Sequence, residues 1–344
     1  MRRPLVRRLT ALFAAALLLP AVAGCGVDED DAGLVIYSGR NEKLVKPLLD
    51  ELEKAVGTTV AVRYGESAEL AAQIQEEGAK TKAGLFFSQD AGALGALSTK
   101  GLLAKLPQET LDKVDPAFRG GAGDWVGTSG RVRVLAYHPG QVAKAPDSVH
   151  DLVKPEWKGK IGYVPTNASF QAFVTGMRVL EGDDATRAWL QGLKANDPKV
   201  YDNNLKVLEG VGKGEVSLGL VNHYYWYEQV AEKGEKKVGA KIHFLPGGDP
   251  GALVNTAGVG ILKGGADDAR NQAPAAQKAV DFLLSEKAQK YFADDTKEYP
   301  LAAGVTSNVK DLPPLSSLDA PKIDLGKLES LQETLKMLQD VGMV

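Results

Sequence analysis

Short apolar runs and longer amphipathic segments alternate along the first part of this chain. Leu34–Tyr37 has the length and composition of a buried strand, whereas Glu42–Val56 has helical spacing of its apolar residues and is followed by Gly57. The same patterns predict strands at Thr58–Tyr64 and Leu85–Phe87 and helices at Ala68–Glu77 and Ala91–Thr99. Such alternation is typical of mostly parallel sheets with helices on both faces, whose strand-end loops face one cleft.

The alternation resumes after a glycine-rich stretch at 120–130, which is predicted to form turns. Arg131–Tyr137 is predicted to carry the chain into a second lobe, and Ala252–Leu262 is predicted to return it. Between them the pattern predicts strands at Lys160–Val164, near Val200, at Glu215–Val221 and at Ala240–Leu245, and helices at Phe170–Leu180, Thr186–Lys194, Leu205–Gly210 and Trp226–Lys233. Two crossing strands of this kind make a hinge.

The length of 344 residues exceeds one typical core and predicts two lobes. Lobe 1 is predicted to comprise 34–130 and 255–310, with helices at Ala275–Leu284 and Glu286–Phe292, and lobe 2 to comprise 131–254. Residues 311–344 form a C-terminal helical segment in this prediction, with a helix at Leu325–Val341. The net charge of −3 gives no indication of nucleic-acid binding.

The first residues have the pattern of an export signal. Four arginines precede the apolar segment Leu9–Leu19, which is too short to span a bilayer, so residues 1–24 are predicted to be a signal peptide. Cys25, the only cysteine, follows Val22-Ala23-Gly24 and resembles the acylated cysteine of the bacterial lipobox. We therefore expect an exported protein, held by lipid alone on the outer face of the cytoplasmic membrane. Residues 25–33 would be a flexible acidic tether.

The most informative chemistry lies in the aromatic run His223–Tyr227, at the junction of a predicted strand and helix. Neighbouring side chains in the first turn of a helix are about 100° apart, so the phenols of Tyr224 and Tyr225 can converge on one ion. Phenolate is a hard anionic donor, suited to a strongly polarising cation such as ferric iron. The alternative is an aromatic patch packed in a core or a stacking surface for an organic ligand, and the run by itself favours this alternative over a metal site.

Other motifs do not indicate catalysis. The glycines at 121–130 lack the dinucleotide fingerprint, because Val126 stands where its third glycine is needed, and Gly212-Lys213-Gly214 lacks the Ser or Thr of a phosphate loop. The four histidines show no metal-ligand spacing, and no Ser, His and Asp arrangement suggests a nucleophile. We therefore do not expect an enzyme.

From about Leu34 to Leu301 the chain resembles the ferric-ion-binding proteins of bacterial iron ABC transporters. The segments that carry the resemblance are Asn222–Tyr227, Trp157–Tyr163, Ser129–Val134, Asp249–Val254 and Glu298–Leu301. The resemblance implies the type II periplasmic binding-protein fold, an α/β fold of two lobes with a ligand cleft between them. It also implies a monomer that delivers ferric iron to an ABC permease and its ATPase.

The resemblance assigns ferric iron ligation to Tyr224 and Tyr225. A synergistic anion, carbonate or phosphate, would complete the site. The polar loop residues at the corresponding positions are Asn167, Ala168, Ser169, Asn204 and Asn222. Because helix N-termini bind anions through free N–H groups, this assignment also makes physical sense.

Two expected ligands are missing. In one branch of the family a histidine and a glutamate also bind iron, and these positions are Asn41 and Gln89 here; a third tyrosine of another branch, near Ser169, is absent too. Asn41 and Gln89 are then candidate oxygen ligands, and Asp90 is the best substitute for the lost glutamate. Helix capping is an alternative role for both Asn41 and Asp90.

Arg131 and Arg133 are two positions apart on a predicted strand and share one face. One or both could neutralise a bound anion, or they could pair with surface carboxylates; we assign the anion role to Arg131. The resulting hypothesis is a lipid-anchored receptor that captures ferric iron with an anion between its lobes. The alternative is a receptor for an organic solute, such as a sugar phosphate, a phosphonate or a polyamine, which the tyrosines would stack on or hydrogen-bond.

Overall fold

The computed structural model describes residues 27–266 and 271–344. The predicted signal peptide at 1–24 and the predicted lipidation site Cys25 lie outside the described residues. Among the described helices, none has both the length and the apolar character that crossing a membrane requires.

The first part of the chain forms the predicted alternation of strands and helices. Its elements are β1 (Leu34–Ser38), α1 (Glu42–Val56), β2 (Val60–Tyr64), α2 (Ser67–Glu77), β3 (Leu85–Ser88), α3 (Ala91–Thr99) and the short α4 (Gln108–Leu111). Strand β1 pairs in parallel with both β2 and β3. Leu34 and Ile36 pack on one side with α1, and Val35 and Tyr37 pack on the other with α2 and α3. The strand is therefore apolar at successive positions because both of its faces are covered.

Strand β4 (Val126–Tyr137) is longer than predicted, because it begins inside the glycine-rich stretch that the sequence pattern assigned to turns. Glycine is needed at 127 because a Cβ there would lie 2.7 Å from the carbonyl oxygen of Phe118. The return strand β9 (Val254–Ile261) is shorter than predicted, since residues Pro250–Ala252 form a 3-10 turn. Strands β4 and β9 pair antiparallel with each other. Strand β4 continues beyond this pairing into a second sheet, whereas β9 pairs only with β3 and β4.

A second sheet is built on the far half of β4. Its elements are β5 (Ile161–Tyr163), α5 (Ala168–Glu181), α6 (Asp183–Ala195), β6 (Lys199–Val200), α7 (Asn204–Gly212), β7 (Leu218–Asn222), α8 (His223–Lys233), α9 (Glu235–Val238) and β8 (Lys241–His243). The strand order is β2-β1-β3-β9-β4-β7-β5-β6, with β8 also on β4. In the described part of the chain, every antiparallel pair involves β4 or β9, and the other pairs are parallel.

The remaining elements return to the first sheet and then leave it. They are α10 (Lys263–Ala266), α11 (Ala273–Leu283), α12 (Glu286–Asp294), β10 (Tyr299–Pro300), which pairs with β4, and α13 (Leu331–Val341). The predicted start of the final helix at Leu325 is wrong, because Leu325–Glu329 is a 3-10 turn. That turn places Leu325 and Leu328 on one face, where both are buried.

The C-terminal segment contacts a helix of each sheet. Residues 325–329 pack on α3, beside the first sheet. Helix α13 packs on α5, beside the second: the hydroxyls of Thr334 and Thr175 are 2.8 Å apart, and Arg178 Nη1 donates to the carbonyl of Ser330 at 2.8 Å. Because α3 and α5 both begin at the cleft described below, this segment links its two walls.

Adding a single methyl group to α3 should weaken its packing against residues 325–329. A Cβ at Gly95 of α3 would lie 2.4 Å from the carbonyl oxygen of Gly326, so we expect Gly95→Ala to lower the free energy of unfolding by about 1–3 kcal/mol. Thermal and urea unfolding would measure the loss. Gly121→Ala is the matched control, because nothing lies within 4 Å of a Cβ there. Equal stability of the two variants would show that residues 325–329 do not pack closely on α3.

The predicted flexible tether at 25–33 is wrong for its described part. Glu29 pairs with Arg63 at 2.6 Å, Ala32 is buried, and the Gly33 N–H donates to the carbonyl of Thr59 at 3.0 Å. The acidic composition suggested a solvated linker, but these charges meet basic partners on the folded body. The described chain is therefore anchored from Glu29 onward.

Candidate metal and anion site

A cleft of about 340 Å³ lies where the loops after several strands meet. The first sheet contributes the loop after β1 and the loop after β3, and the second contributes the starts of α5 and α8, with β4 between them. The predicted residues that line it are Asn41, Gln89, Asp90, Arg131, Asn167, Ala168, Ser169, Asn222, Tyr224 and Tyr225. Residues far apart in sequence thus share one cavity, as the strand-end argument predicted.

Tyr224 and Tyr225 lie together at the start of α8. The helix begins at His223, three residues earlier than the pattern predicted, so both phenols belong to its first turn. Their ring centroids are 4.2 Å apart and their planes are inclined by 32°. Tyr224 is 7% exposed, and its burial, with the nearby Tyr225 phenol, raises its pKa well above the ordinary value, although Arg131 opposes this. A strongly polarising cation would be needed to ionise it.

His223, adjacent to the pair, has a packing role. Its Nδ1 accepts from the Val132 N–H at 3.2 Å, and its ring stacks on that of Tyr299 at 4.8 Å. The side chain is fully buried, which lowers its pKa to about 4, so the imidazole is neutral. It does not line the cleft.

The three predicted lobe 1 ligands face the tyrosines from the first sheet. Asp90 caps α3 by accepting from the Ala93 N–H at 3.1 Å, and burial raises the pKa of its carboxyl. Asn41 stands at the N-cap position of α1, as its alternative role requires, but its side chain makes no capping hydrogen bond. The Gln89 side-chain oxygen is buried without a partner among the residues that the structure describes.

The opposite wall carries the predicted anion site. The Asn167 side chain caps α5, accepting from the Ser169 N–H at 3.1 Å and from its hydroxyl at 2.5 Å. Asn204 lies behind Asn167, and its amide donates to Asn167 Oδ1 at 3.1 Å. Asn204 begins α7, is buried, and orients Asn167 through this hydrogen bond.

Three buried arginines also line the cleft: Arg40, Arg131 and Arg133, each 3% exposed or less. Arg131 donates to the carbonyl of Gln89, and Arg133 donates to the Ser169 hydroxyl at 3.3 Å and to the carbonyl of Leu220 at 3.3 Å. Burial lowers the pKa of both guanidinium groups. Both arginines therefore face the cleft rather than surface carboxylates, and a bound anion would offset the cost of burying their charge.

Arg40 was not predicted. It follows β1 at the same sheet edge as Gln89, and its Nη2 donates to Glu298 at 2.9 Å. Burial alone would raise the pKa of Glu298, but Arg40 and Arg131 lower it below the ordinary value. Glu298 also accepts from the Ser129 hydroxyl at 2.5 Å, so it holds Arg40 in place behind the cleft.

The protein donors alone do not make a conventional metal centre. Within residues 27–266 and 271–344, no three His, Cys, Asp or Glu side chains are grouped so that they could hold a metal ion. The cleft offers a pair of phenols, amide oxygens, the carboxyl groups of Asp90 and Glu66, and several guanidinium groups. This set can hold a hard cation only together with anions that bring their own oxygen donors.

Comparison with known proteins decides the family. A family model for bacterial extracellular solute-binding proteins matches residues 80–324. The chain belongs to this family. One relative of this solute-binding protein is the Fe(3+)-binding periplasmic protein of Serratia marcescens, 34% identical over 97% of this chain and 97% of its own length.

A second relative and a solved structure that resemble this chain also belong to iron-binding proteins. The major ferric iron-binding protein of Neisseria meningitidis serogroup B is 33% identical, over 91% of this chain and 93% of its own. The structure of iron-bound HitA from Pseudomonas aeruginosa superposes with a TM-score of 0.82, at 37% identity over 90% of this chain and 99% of that one. The expected α/β type II binding-protein fold is thereby confirmed for this solute-binding protein.

Proposed function

We propose that this solute-binding protein captures ferric iron, together with a synergistic anion such as carbonate or phosphate, for import by an ABC transporter. The observation that carries the proposal is the pair Tyr224 and Tyr225, with ring centroids 4.2 Å apart in a cleft lined by buried arginines. The Serratia marcescens and Neisseria meningitidis relatives are ferric iron-binding proteins and the HitA structure is iron-bound, which supports the same ligand.

In this proposal different residues of the cleft bind the iron and the anion. Tyr224 and Tyr225 bind the iron as phenolates, and Asn41, Gln89 and Asp90 close the site from lobe 1. Arg131, Asn167, Ala168, Ser169 and Asn222 hold the anion, and Asn204 orients Asn167. Lobe 1 (34–130 and 255–310) and lobe 2 (131–254) close because the iron and anion bridge them, which stabilises only the closed form.

The cellular setting follows from the same hypothesis. The protein acts as a monomer outside the cytoplasmic membrane, held there by lipid on Cys25, and transfers iron to a permease that is driven by its ATPase. It binds and releases its cargo without transforming it. Ferric iron is the transported ligand in this scheme rather than a resident cofactor.

A receptor for organic anions is the second candidate. The buried guanidinium groups of Arg40, Arg131 and Arg133 favour a phosphorylated solute and disfavour a polyamine, which would bring further positive charge. Under this alternative the tyrosines would stack or hydrogen-bond, and no metal would be required.

One titration separates the two candidates. Residues 26–344, stripped of metal, are titrated with ferric citrate and bicarbonate while the visible spectrum is recorded. We expect a saturating phenolate-to-iron charge-transfer band, because only iron bound directly to tyrosine produces it. No band, together with metal-free binding of a sugar phosphate in calorimetry, would overturn the ferric proposal.

A further inference from the structure

Two carboxyl groups line the cleft within residues 27–266 and 271–344, those of Asp90 and Glu66. Ferric iron that is bound by two phenolates keeps a net positive charge, so an anionic oxygen donor on the lobe 1 wall would draw that wall toward the tyrosines. The amides of Asn41 and Gln89 on this wall are neutral. The protein's anionic donor from lobe 1 is therefore one of the two carboxyl groups.

The carboxyl group of Asp90 already has a structural role. Its Oδ1 accepts from the Ala93 N–H at 3.1 Å and so caps α3, and the same oxygen would lie 3.1 Å from a Cβ at Gly92. Moving it to a ligand would give up the cap, which costs about 0.5–2 kcal/mol. Burial also raises the pKa of this carboxyl and disfavours its charged form. Asp90 is therefore the less favourable donor.

The backbone at Glu66 is held in place on both sides by hydrogen bonds to other strand ends of the cleft. On one side, the Gly65 N–H donates to the carbonyl of Ser38, at the end of β1, at 3.1 Å. On the other, the Ser67 hydroxyl accepts from the Gln89 N–H, just after β3, at 2.8 Å. Glu66 is thereby fixed beside Gln89, on the wall that faces the tyrosines.

The side chain of Glu66, in contrast to its backbone, is not held. It is exposed, it precedes α2 without capping it, and it has no ion pair with any residue that the structure describes. Because an exposed carboxylate keeps its hydration, its charge does not carry the desolvation cost that burial imposes on Asp90. A solvated and flexible carboxylate at the edge of the cleft can exchange water for a cation as the cleft closes.

We propose that Glu66 is the anionic iron ligand of lobe 1 and that it binds the ion opposite Tyr224 and Tyr225 as the lobes close. A ligand that engages only in the closed form stabilises that form and slows the release of iron, whereas the tyrosines make the first contact. The arrangement accounts for the neutral amide at Gln89, because the carboxylate comes from the adjacent loop after β2. The inference rests on the proposed ferric function.

The rates of iron capture and release test the proposal. Capture of iron from ferric citrate by residues 26–344 is followed by the growth of the charge-transfer band, and release to excess EDTA by its decay. We expect Glu66→Gln to keep the band and the wild-type capture rate but to release iron about tenfold faster, equivalent to about 1.4 kcal/mol. Glu69→Gln is the matched control. Glu69 is also an exposed carboxylate at the start of α2, but it does not line the cleft, so this variant should release iron at the wild-type rate.

Two results would overturn the proposal. Equal release rates for Glu66→Gln and Glu69→Gln would show that Glu66 does not bind the ion. Slower capture by Glu66→Gln with an unchanged release rate would show that Glu66 only attracts the cation from a distance. Absence of the charge-transfer band in the wild type would instead refute the ferric function itself.

Discussion

Replacing Tyr224 and Tyr225 together by phenylalanine is expected to abolish ferric iron binding and the visible charge-transfer band. Loss of an outer partner of a metal ligand costs about 10–100-fold in affinity, so loss of both anionic ligands should cost more than a hundredfold. The rings remain in place, so the packing of Tyr224 against Tyr225 and the start of α8 should be preserved. Titration with ferric citrate, followed by absorbance and by calorimetry, would measure the loss.

Tyr227→Phe is the matched control for this experiment. Tyr227 lies on the same helix, but its hydroxyl donates to the carbonyl of Asp311 at 2.9 Å, and it does not line the cleft. This variant should keep the band and wild-type affinity for iron. A double variant that still bound iron with the wild-type spectrum would exclude the tyrosines as ligands. Asp90 and Gln89 would then be the remaining candidate ligands.

The strands and helices of the fold could be predicted because each has a local signal. The α1 helix begins at Glu42 and ends at Val56 as predicted, where Gly57 adopts the left-handed conformation. The errors lie where tertiary contacts override local patterns. The glycines at 127 and 130 suggested turns but belong to β4, and the stretch before Ser330 suggested a helix but forms a 3-10 turn against α3.

Some of the cleft residues could likewise be predicted from local patterns, whereas others are set by tertiary contacts. Strand-end loops were expected to meet, and they bring Asn41, Gln89, Tyr224 and Tyr225 to one cavity. The burial of Arg40 could not be predicted, because its partner Glu298 is 258 positions away. The hydrogen bond from Asn204 to Asn167 could not be predicted either, because the two residues are 37 positions apart.

The affinity for iron should fall steeply as the pH is lowered. A phenol ionises near pH 10 in water, and burial raises the pKa of Tyr224 further, so the iron must displace a proton when it binds. Each displaced proton weakens apparent binding about tenfold for every unit of pH decrease, so two phenolates give about a hundredfold per unit. Acidification therefore favours release, and alkaline conditions favour capture.

The number of protons can be measured by comparing the wild type with Tyr225→Phe in citrate competition between about pH 5.5 and 7.5, well below the ordinary phenol pKa. Protonation of citrate and hydrolysis of iron affect both proteins equally, so they cancel in the ratio of the two affinities. That ratio should fall about tenfold per unit of pH decrease, because only the wild type displaces the second phenol proton. A ratio independent of pH would mean that Tyr225 contacts the site as a neutral phenol. The iron would then be held by Tyr224 alone among the tyrosines, and the anions would carry the rest of its coordination.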